Sequence, residues 1–215
     1  MVEGLSMIKK LGHAAALGLL LVGCAPDEVE QPSTPEPAQE TELLPATMVQ
    51  AGQGEAIRFP LHATTSLAGA DTNSAKMSFF ELVIDAKSAG APPHTHTHED
   101  EFFYVREGQI TFMAEGERQS LSAGGFVMLP RGSLHAFWND GESEAILLCG
   151  TSDGKFGDFF DAVAVAAREA NARTPADLGP ILGAIAAERG IFIDMSKVPA
   201  DVAALYGLPP VMKSP

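Results

Sequence analysis

Between about residues 55 and 150, short runs rich in β-branched and aromatic residues alternate with turn signals at close intervals. About eight such runs can be read: EAIRFPLH, MSFFELVID, EFFYVRE, QITFMAE, RQSLS, FVMLP, LHAFWN and EAILLCG. The segments between them are rich in glycine, and Asp140 followed by Gly141 is typical of a tight hairpin turn. No helical pattern separates the runs. The pattern therefore predicts an all-β fold, either an antiparallel sandwich or a small barrel.

The pattern changes to a helical one after residue 155. KFGDFFDAVAVAAREAN places five apolar residues on roughly one helical face: Phe156, Phe159, Phe160, Val163 and Ala167. TPADLGPILGAIAAERG starts with a threonine cap and a proline in the first turn and ends at Gly190, so it predicts a second helix. PADVAALYG indicates a third, shorter one. We expect this extension, residues 156–215, to cover one side of the barrel or to pack against a second copy of the chain.

The first 24 residues resemble a bacterial lipoprotein signal peptide. Two lysines precede a run of nine apolar residues, 14–22, which is too short to span a bilayer because about 20 residues are needed. LVGC then places small residues before Cys24, as in a lipobox. The resemblance implies that Cys24 is lipidated and anchors the chain to the cell envelope, on the periplasmic or extracellular side. An ordinary cleaved signal, with a coincidental cysteine, is the alternative, and Met7 could be the true start.

Composition limits the partners of the chain. Residues 25–47 hold five prolines, six acidic residues and no basic one, which predicts a disordered tether. The net charge is −14, with only 14 lysines and arginines, so we expect neither nucleic acid nor an anionic surface as a partner. Contact with the membrane would come through the lipid anchor only. Besides Cys24, Cys149 is the single cysteine, and its apolar surroundings predict a buried thiol without a disulfide.

The stretch PPHTHTHEDEFFYVREG contains the most informative side chains. In one continuous strand His94, His96 and His98 would share a face, whereas Glu101 would point the opposite way. A turn between about residues 97 and 100 would reset the alternation and let Glu101 face the histidines. Glu99 and Asp100 would then be exposed charges of that turn.

Two spaced motifs in this region resemble those of the cupin family. The first has spacers of one, four and six residues between His94, His96, Glu101 and Gly108. The second has spacers of five, one, two and three residues between Gly124, Pro130, Gly132, His135 and Asn139. One departure concerns the family's leading glycine, which is usually separated from the first histidine by five residues. Only three residues separate Gly90 from His94. A register that uses His96 and His98 would restore the glycine but leave too few residues before Glu101.

The resemblance implies an antiparallel double-stranded β-helix, or jelly-roll barrel, over about residues 48–155, followed by the C-terminal α-helices. It also implies a metal site in the barrel made by His94, His96, Glu101 and His135. His98 would lie outside this ligand set, either as a solvated loop residue or as a proton-transfer group near the metal. The tail, GTSDGKFGDFF with ERGIFI after the helices, is similar to single-domain cupins often labelled quercetin-dioxygenase-like.

Three imidazoles and a carboxylate suit a divalent transition metal: Fe, Mn, Ni, Cu or Zn. Four protein ligands leave about two positions of an octahedral ion open for a small-molecule substrate or ligand. The leading hypothesis is an oxygenase for a small aromatic or enediol-like substrate, with Glu101 as a ligand that also takes a proton. The alternatives are a non-catalytic module that binds a metal or ligand, and a redox-neutral lyase, decarboxylase or isomerase. The last needs a further acid or base, for which His98 and His62 are candidates.

Strand alternation predicts which apolar side chains surround the metal. They come from the strand of Glu101, the strand of His135 and the strand before Gly90: Phe103, Val105, Phe137 and one of Phe79 and Phe80, with Phe79 as the preferred choice. They would form an apolar pocket, or would simply fill the barrel. Because cupin barrels commonly pair, a homodimer could also form.

Overall fold

The structure, a computed structural model, describes residues 43–152 and 156–209. The predicted signal peptide with its lipidation residue Cys24, and most of the predicted tether, lie outside the described residues. Neither α-helix in the described part is long and apolar enough to cross a bilayer.

The described residues form twelve strands that pair in antiparallel fashion. They are β1 (Glu55–Ile57), β2 (Ala63–Ala68), β3 (Ser78–Ile84), β4 (Ser88–Ala89), β5 (His94–His96), β6 (Glu101–Glu107), β7 (Gln109–Ala114), β8 (Glu117–Ser122), β9 (Phe126–Leu129), β10 (His135–Asn139), β11 (Ala145–Thr151) and β12 (Ile191–Ile193). One sheet has the order β1-β2-β3-β11-β6-β9, and the other has the order β12-β5-β10-β7-β8, with β4 beside β10. The predicted all-β jelly-roll barrel is confirmed.

The core lies between the two sheets because each strand alternates apolar inward and polar outward residues. In β3, Phe80, Leu82 and Ile84 are at most 2% exposed, whereas Glu81 points outward. Burial of such side chains stabilises the barrel by roughly 1.5–3 kcal/mol each. The β3 pattern recurs on the facing strands, so the core of the barrel is mainly apolar, and the four candidate metal ligands are among the few polar side chains buried there.

Two α-helices follow the barrel, as predicted: α1 (Phe159–Glu169) and α2 (Pro175–Glu188). α2 starts with a capping box, in which the Thr174 side chain accepts from the Asp177 N–H and the Asp177 carboxylate accepts from the Thr174 N–H. The predicted third helix is shorter, a 3-10 turn at Ala203–Tyr206 that ends at Gly207 with φ +69°. Two further 3-10 turns lie at Ala70–Thr72 and Met195–Lys197.

The C-terminal extension also adds a strand to the barrel, which the sequence did not predict. Gly190 ends α2 with φ +74°, and β12 then pairs with β5 so that Ile191 lies opposite His96 and Ile193 opposite His94. The Thr97 N–H donates to the Gly190 carbonyl over 2.9 Å. The extension therefore completes the sheet that carries two of the candidate metal ligands.

Candidate metal centre

The two sheets each contribute to the predicted ligand set. His94 and His96 lie on β5, and His135 lies on the neighbouring β10, directly opposite His94 in the antiparallel register. Glu101 is the first residue of β6, in the other sheet. The chain bends between β5 and β6 at residues 97–98, which turns Glu101 toward the histidines.

The four side chains converge on one point inside the barrel. Their ligand atoms all lie within 4.8 Å of one another, and all four residues are buried. Nε2 of His94 is 3.0 Å from Nε2 of His96, and Nε2 of His135 is 3.0 Å from Oε2 of Glu101. This is the geometry of a divalent metal site.

Backbone carbonyls orient two of the imidazoles toward that point. Nδ1 of His94 lies 2.7 Å from the Pro92 oxygen, and Nδ1 of His135 lies 2.9 Å from the Ser133 oxygen. Since a carbonyl can only accept, each Nδ1 must donate, and the lone pair of the neutral ring is then on Nε2. Lone pairs and a carboxylate that converge in a buried space repel one another unless a cation lies between them, so the donor set fits a metal.

The third imidazole is oriented by a carboxylate, and here the sequence expectation is wrong. Glu99 is 0% exposed rather than a surface charge, and its Oε2 lies 3.2 Å from Nδ1 of His96. Oε1 of Glu99 has no hydrogen-bond partner among the described residues. A carboxylate behind a ligand histidine fixes the tautomer of the ring and raises its basicity. Glu99 thus supports the site without belonging to the ligand set.

The charges of the cluster favour an ionised Glu101 and a neutral His94. Burial alone would raise the pKa of Glu101, but contact with a protonated His135 and the positive charge of the other histidines would lower it, to about 2. Burial and the neighbouring histidines hold the pKa of His94 well below its usual range. Burial disfavours the charged form of His96 too, but the hydrogen bond to Glu99 and the charges of Glu99 and Glu101 outweigh this effect. The pKa of His96 is therefore raised. The lowered pKa values of Glu101 and His94 favour the forms that bind a cation, whereas the raised pKa of His96 means that a metal would displace a proton from this ring.

His98 does not join the cluster. Its ring lies beside Gly190, where an added Cβ would come within 2.8 Å of the His98 Cδ2 atom, and it is half-buried. The group of four ligand atoms does not include it. The structure therefore brings His94 and His96, and not His98, together with Glu101 and His135.

A cavity opens beside the metal ligands. It has a volume of about 60 Å³, and His94 and Glu101 form part of its wall. Two predicted pocket residues, Phe103 and Phe137, line it as well. Gly90 allows Phe137 to pack against the backbone, since a Cβ there would lie 2.0 Å from the ring.

The other two predicted pocket residues do not line the cavity. Val105 is 0% exposed and packs in the barrel core. Phe79 points to the outer face of its sheet, where its ring centroid lies 6.1 Å from that of Phe102. Phe79 shares the outward face with Glu81, whereas Phe80 faces inward and packs on Phe156 at 6.0 Å. Of the two, Phe80 is therefore the inward-facing residue, but neither lines the cavity.

Sequence reasoning missed most of the cavity wall because it comes from outside the central barrel. Phe156, Phe159 and Phe160, at the start of α1, pack on one another with ring centroids 5.2–5.5 Å apart. Further lining residues come from α2, from β12 and from the loop before β2: Leu182, Ile191, Ile193, Phe59, Leu61 and His62. The predicted helical face of α1 was the only signal for this aromatic cover.

Cys149 is buried, as predicted, but it also lines the cavity. Its Sγ lies 3.4 Å from Oε1 of Glu101 and donates to it. Burial, reinforced by Glu101, raises the pKa of the thiol well above its usual value. The thiol therefore stays protonated and helps to hold the carboxylate in place.

Residues 80–150 match the family described as Cupin domain. The matched segment, about a third of the chain, is thus similar to a cupin domain. It contains all four candidate metal ligands and ends just before the aromatic cover of the cavity. The match covers the central strands of the barrel, whereas β1, β2, β12 and the wall built by α1 and α2 lie outside it.

Comparison with other proteins adds only distant likenesses. No curated protein matches the chain. Among solved structures, KdgF from Halomonas sp. is 21% identical over 43% of this chain and 81% of its own, with a TM-score of 0.38. A predicted oxalate decarboxylase from Thermotoga maritima is 17% identical over 49% of this chain and 97% of its own, with a TM-score of 0.44. The polyketide cyclase RemF from Streptomyces resistomycificus is 21% identical, over 50% and 80%, with a TM-score of 0.42. These similarities are too low to indicate which reaction this chain would catalyse.

Proposed function

We propose that the chain is a metal-dependent cupin enzyme, an oxygenase that acts on a small aromatic or enediol-like molecule. One observation carries the proposal: the buried cluster of three histidines and a glutamate lies in the wall of an apolar, aromatic cavity. A purely structural metal site is usually closed on all sides, whereas here His94 and Glu101 face a space that a small molecule can enter.

The residues of the chain have distinct roles in this proposal. His94, His96, His135 and Glu101 would hold a divalent metal, which would supply Lewis acidity and, for Fe, Mn, Ni or Cu, a path for reaction with dioxygen. Phe103 and Phe137 would exclude water and hold the apolar part of the substrate.

Glu101 would also handle a proton. Its carboxylate is ionised at neutral pH and could accept the proton of a substrate hydroxyl whose acidity a bound metal would raise. The transfer gives a protonated Glu101 and a substrate oxyanion, and the proton can return to the product.

Oxygen consumption tests the proposal directly. Protein loaded separately with Fe(II), Mn(II), Ni(II) or Cu(II) should consume dioxygen with at least one member of a flavonol and catechol panel. The His135→Ala variant, which lacks one ligand, should not. Absence of uptake with every metal and every substrate would contradict an oxygenase.

A redox-neutral lyase, decarboxylase or isomerase is the second candidate, favoured by one further observation. The cavity wall includes His62, a group able to donate or accept a proton apart from the metal cluster. Turnover of a substrate under strictly anaerobic conditions, without loss in rate, would select this candidate over the oxygenase.

We also propose that the enzyme works at a bacterial cell envelope, on the periplasmic or extracellular side. Support for this comes from the lipobox-like LVGC at residues 21–24. Cells that express the chain should incorporate labelled palmitate into it, and Cys24→Ser should abolish the label. Incorporation into the serine variant would contradict lipidation at Cys24.

A further inference from the structure

Aromatic rings separate two polar groups in the wall of the cavity. His94 and Glu101 form one group, and the Cys149 thiol donates a hydrogen bond to Glu101. Among the described lining residues, His62 is the one other side chain with a hydrogen-bonding group. From His62 through Phe160 and Phe156 to His96, successive ring centroids are 5.8, 5.2 and 5.5 Å apart, so two phenylalanine rings lie between His62 and the metal ligands.

The ring of His62 is held in a fixed orientation. Phe59 packs against it with centroids 4.8 Å apart, and Phe160 meets it edge-on at 5.8 Å. Nδ1 lies 3.0 Å from the hydroxyl of Thr64, which is itself only 2% exposed. Because Thr64 engages Nδ1, Nε2 is the ring nitrogen that an incoming ligand would meet.

His62 is neutral at physiological pH. Burial lowers its pKa from 6.5 to about 4, and the rings packed on it, Phe59 and Phe160, carry no charge. A neutral imidazole presents a donor or an acceptor at Nε2, according to its tautomer. It therefore suits a hydroxyl or carbonyl group, whereas a carboxylate would bind better to a charged ring.

We propose that His62 is a specificity-determining residue that binds the far end of a two-ended ligand. Such a ligand has a pair of chelating oxygens for the metal, an apolar or aromatic middle and a distal hydroxyl or carbonyl for Nε2 of His62. This inference rests on the proposed function, since it takes the metal-bound end as given. It narrows the substrate class to molecules with a polar group at both ends.

Matched catechol pairs test the inference by binding rather than turnover. The protein is loaded with Zn(II), which has no redox chemistry, and titrated calorimetrically with catechols that carry hydroxymethyl, hydroxyethyl or hydroxypropyl at position 4. Each is compared with the 4-alkylcatechol of equal chain length: ethyl, propyl or butyl. At the length that reaches His62, the hydroxyl compound should bind about 3- to 10-fold more tightly than its alkyl partner, as one neutral hydrogen bond allows.

Two variants of His62 separate the hydrogen bond from the shape of the ring. His62→Phe should bind the alkyl compound as before and lose the preference for the hydroxyl compound, whereas His62→Gln should keep part of it. If His62→Phe does not fold, Thr64→Val serves instead, because loss of the hydroxyl that orients the ring should also reduce the preference.

The outcomes distinguish this inference from the proposed function. If catechols bind the Zn(II)-loaded protein but no chain length shows a preference, or if His62→Phe keeps it, the role of His62 is overturned and the metal-centred function stands. If no catechol binds the loaded protein at all, the chelating substrate class fails, and this inference fails with it.

Discussion

The carboxylate of Glu99 lies behind the imidazole of His96, with its Oε2 3.2 Å from Nδ1 of the ring. The two side chains are 0% and 1% exposed, so water does not weaken the contact. The other two ligand histidines donate to backbone carbonyls instead. His96 is thus the ligand whose orientation and basicity depend on a side chain that mutation can change.

Glu99→Gln should therefore lower the affinity for a divalent metal by about 10- to 100-fold, the usual effect of removing such a partner. Competition against a chelating dye with Zn(II) measures the affinity. Glu107→Gln, an exposed carboxylate on β6, serves as the control and should leave the affinity unchanged. An unchanged affinity in Glu99→Gln would show that Glu99 does not support the metal site.

The two alternative registers differ in His94 and His98, and these two histidines should behave oppositely. His94→Ala removes a ligand atom from the buried cluster, so purified protein should hold much less than one metal ion per chain. His98→Ala should retain full metal content, because the His98 ring lies beside Gly190 and outside the cluster. Elemental analysis after dialysis gives both values. Loss of metal in His98→Ala alone would mean that the other register is correct.

The four side chains of the cluster were predictable because the spacing of two motifs resembles that of the cupin family. His94 and His96 alternate on one strand, and a turn must follow before Glu101 can face them, which is what β5 and β6 show. Glu99 escaped prediction because a charged residue inside a turn is normally exposed. The one indication in the sequence was that Glu99 lies three residues after His96. Only the folded turn shows that this spacing brings the two side chains together.

The sequence did contain the information needed to choose between Phe79 and Phe80. Glu81 is polar and must face outward from β3, and alternation puts Phe79 on the same face, which leaves Phe80 for the interior. No comparable pattern in the sequence indicated which residues cover the cavity. Which part of the barrel α1 and β12 approach depends on contacts between residues far apart in the chain, and periodicity within a segment does not carry that information.

Gly90→Ala should destabilise the barrel, because the added Cβ would lie 2.0 Å from the Phe137 ring, inside the cavity wall. Overpacking of this kind costs about 1–3 kcal/mol of unfolding free energy. Gly183→Ala, within α2 and with open space around the new Cβ, should instead stabilise by about 0.5–1 kcal/mol. Urea unfolding of both variants measures the difference, and equal effects would refute the close approach of Phe137.

His62 should make the metal-free protein sensitive to mild acid. Its pKa is about 4 in the folded state against 6.5 for an exposed histidine, so the unfolded chain binds more protons between these values. The contribution of the neutral His62 ring to the free energy of unfolding is therefore fully present above about pH 6.5. It is lost as the pH falls toward 4, and the loss is on the order of 1–3 kcal/mol at most.

The comparison that isolates this contribution is His62→Phe, which keeps an aromatic ring between Phe59 and Phe160 but cannot bind a proton. Unfolding free energies of both proteins, measured in urea at several pH values from 7 to 4.5, should diverge: that of the wild type should fall more steeply below pH 6.5. Other titrating groups are common to both proteins and cancel in the difference. Parallel curves would mean that the His62 ring binds a proton as readily in the folded state as in the unfolded chain, which would contradict the lowering of its pKa by burial.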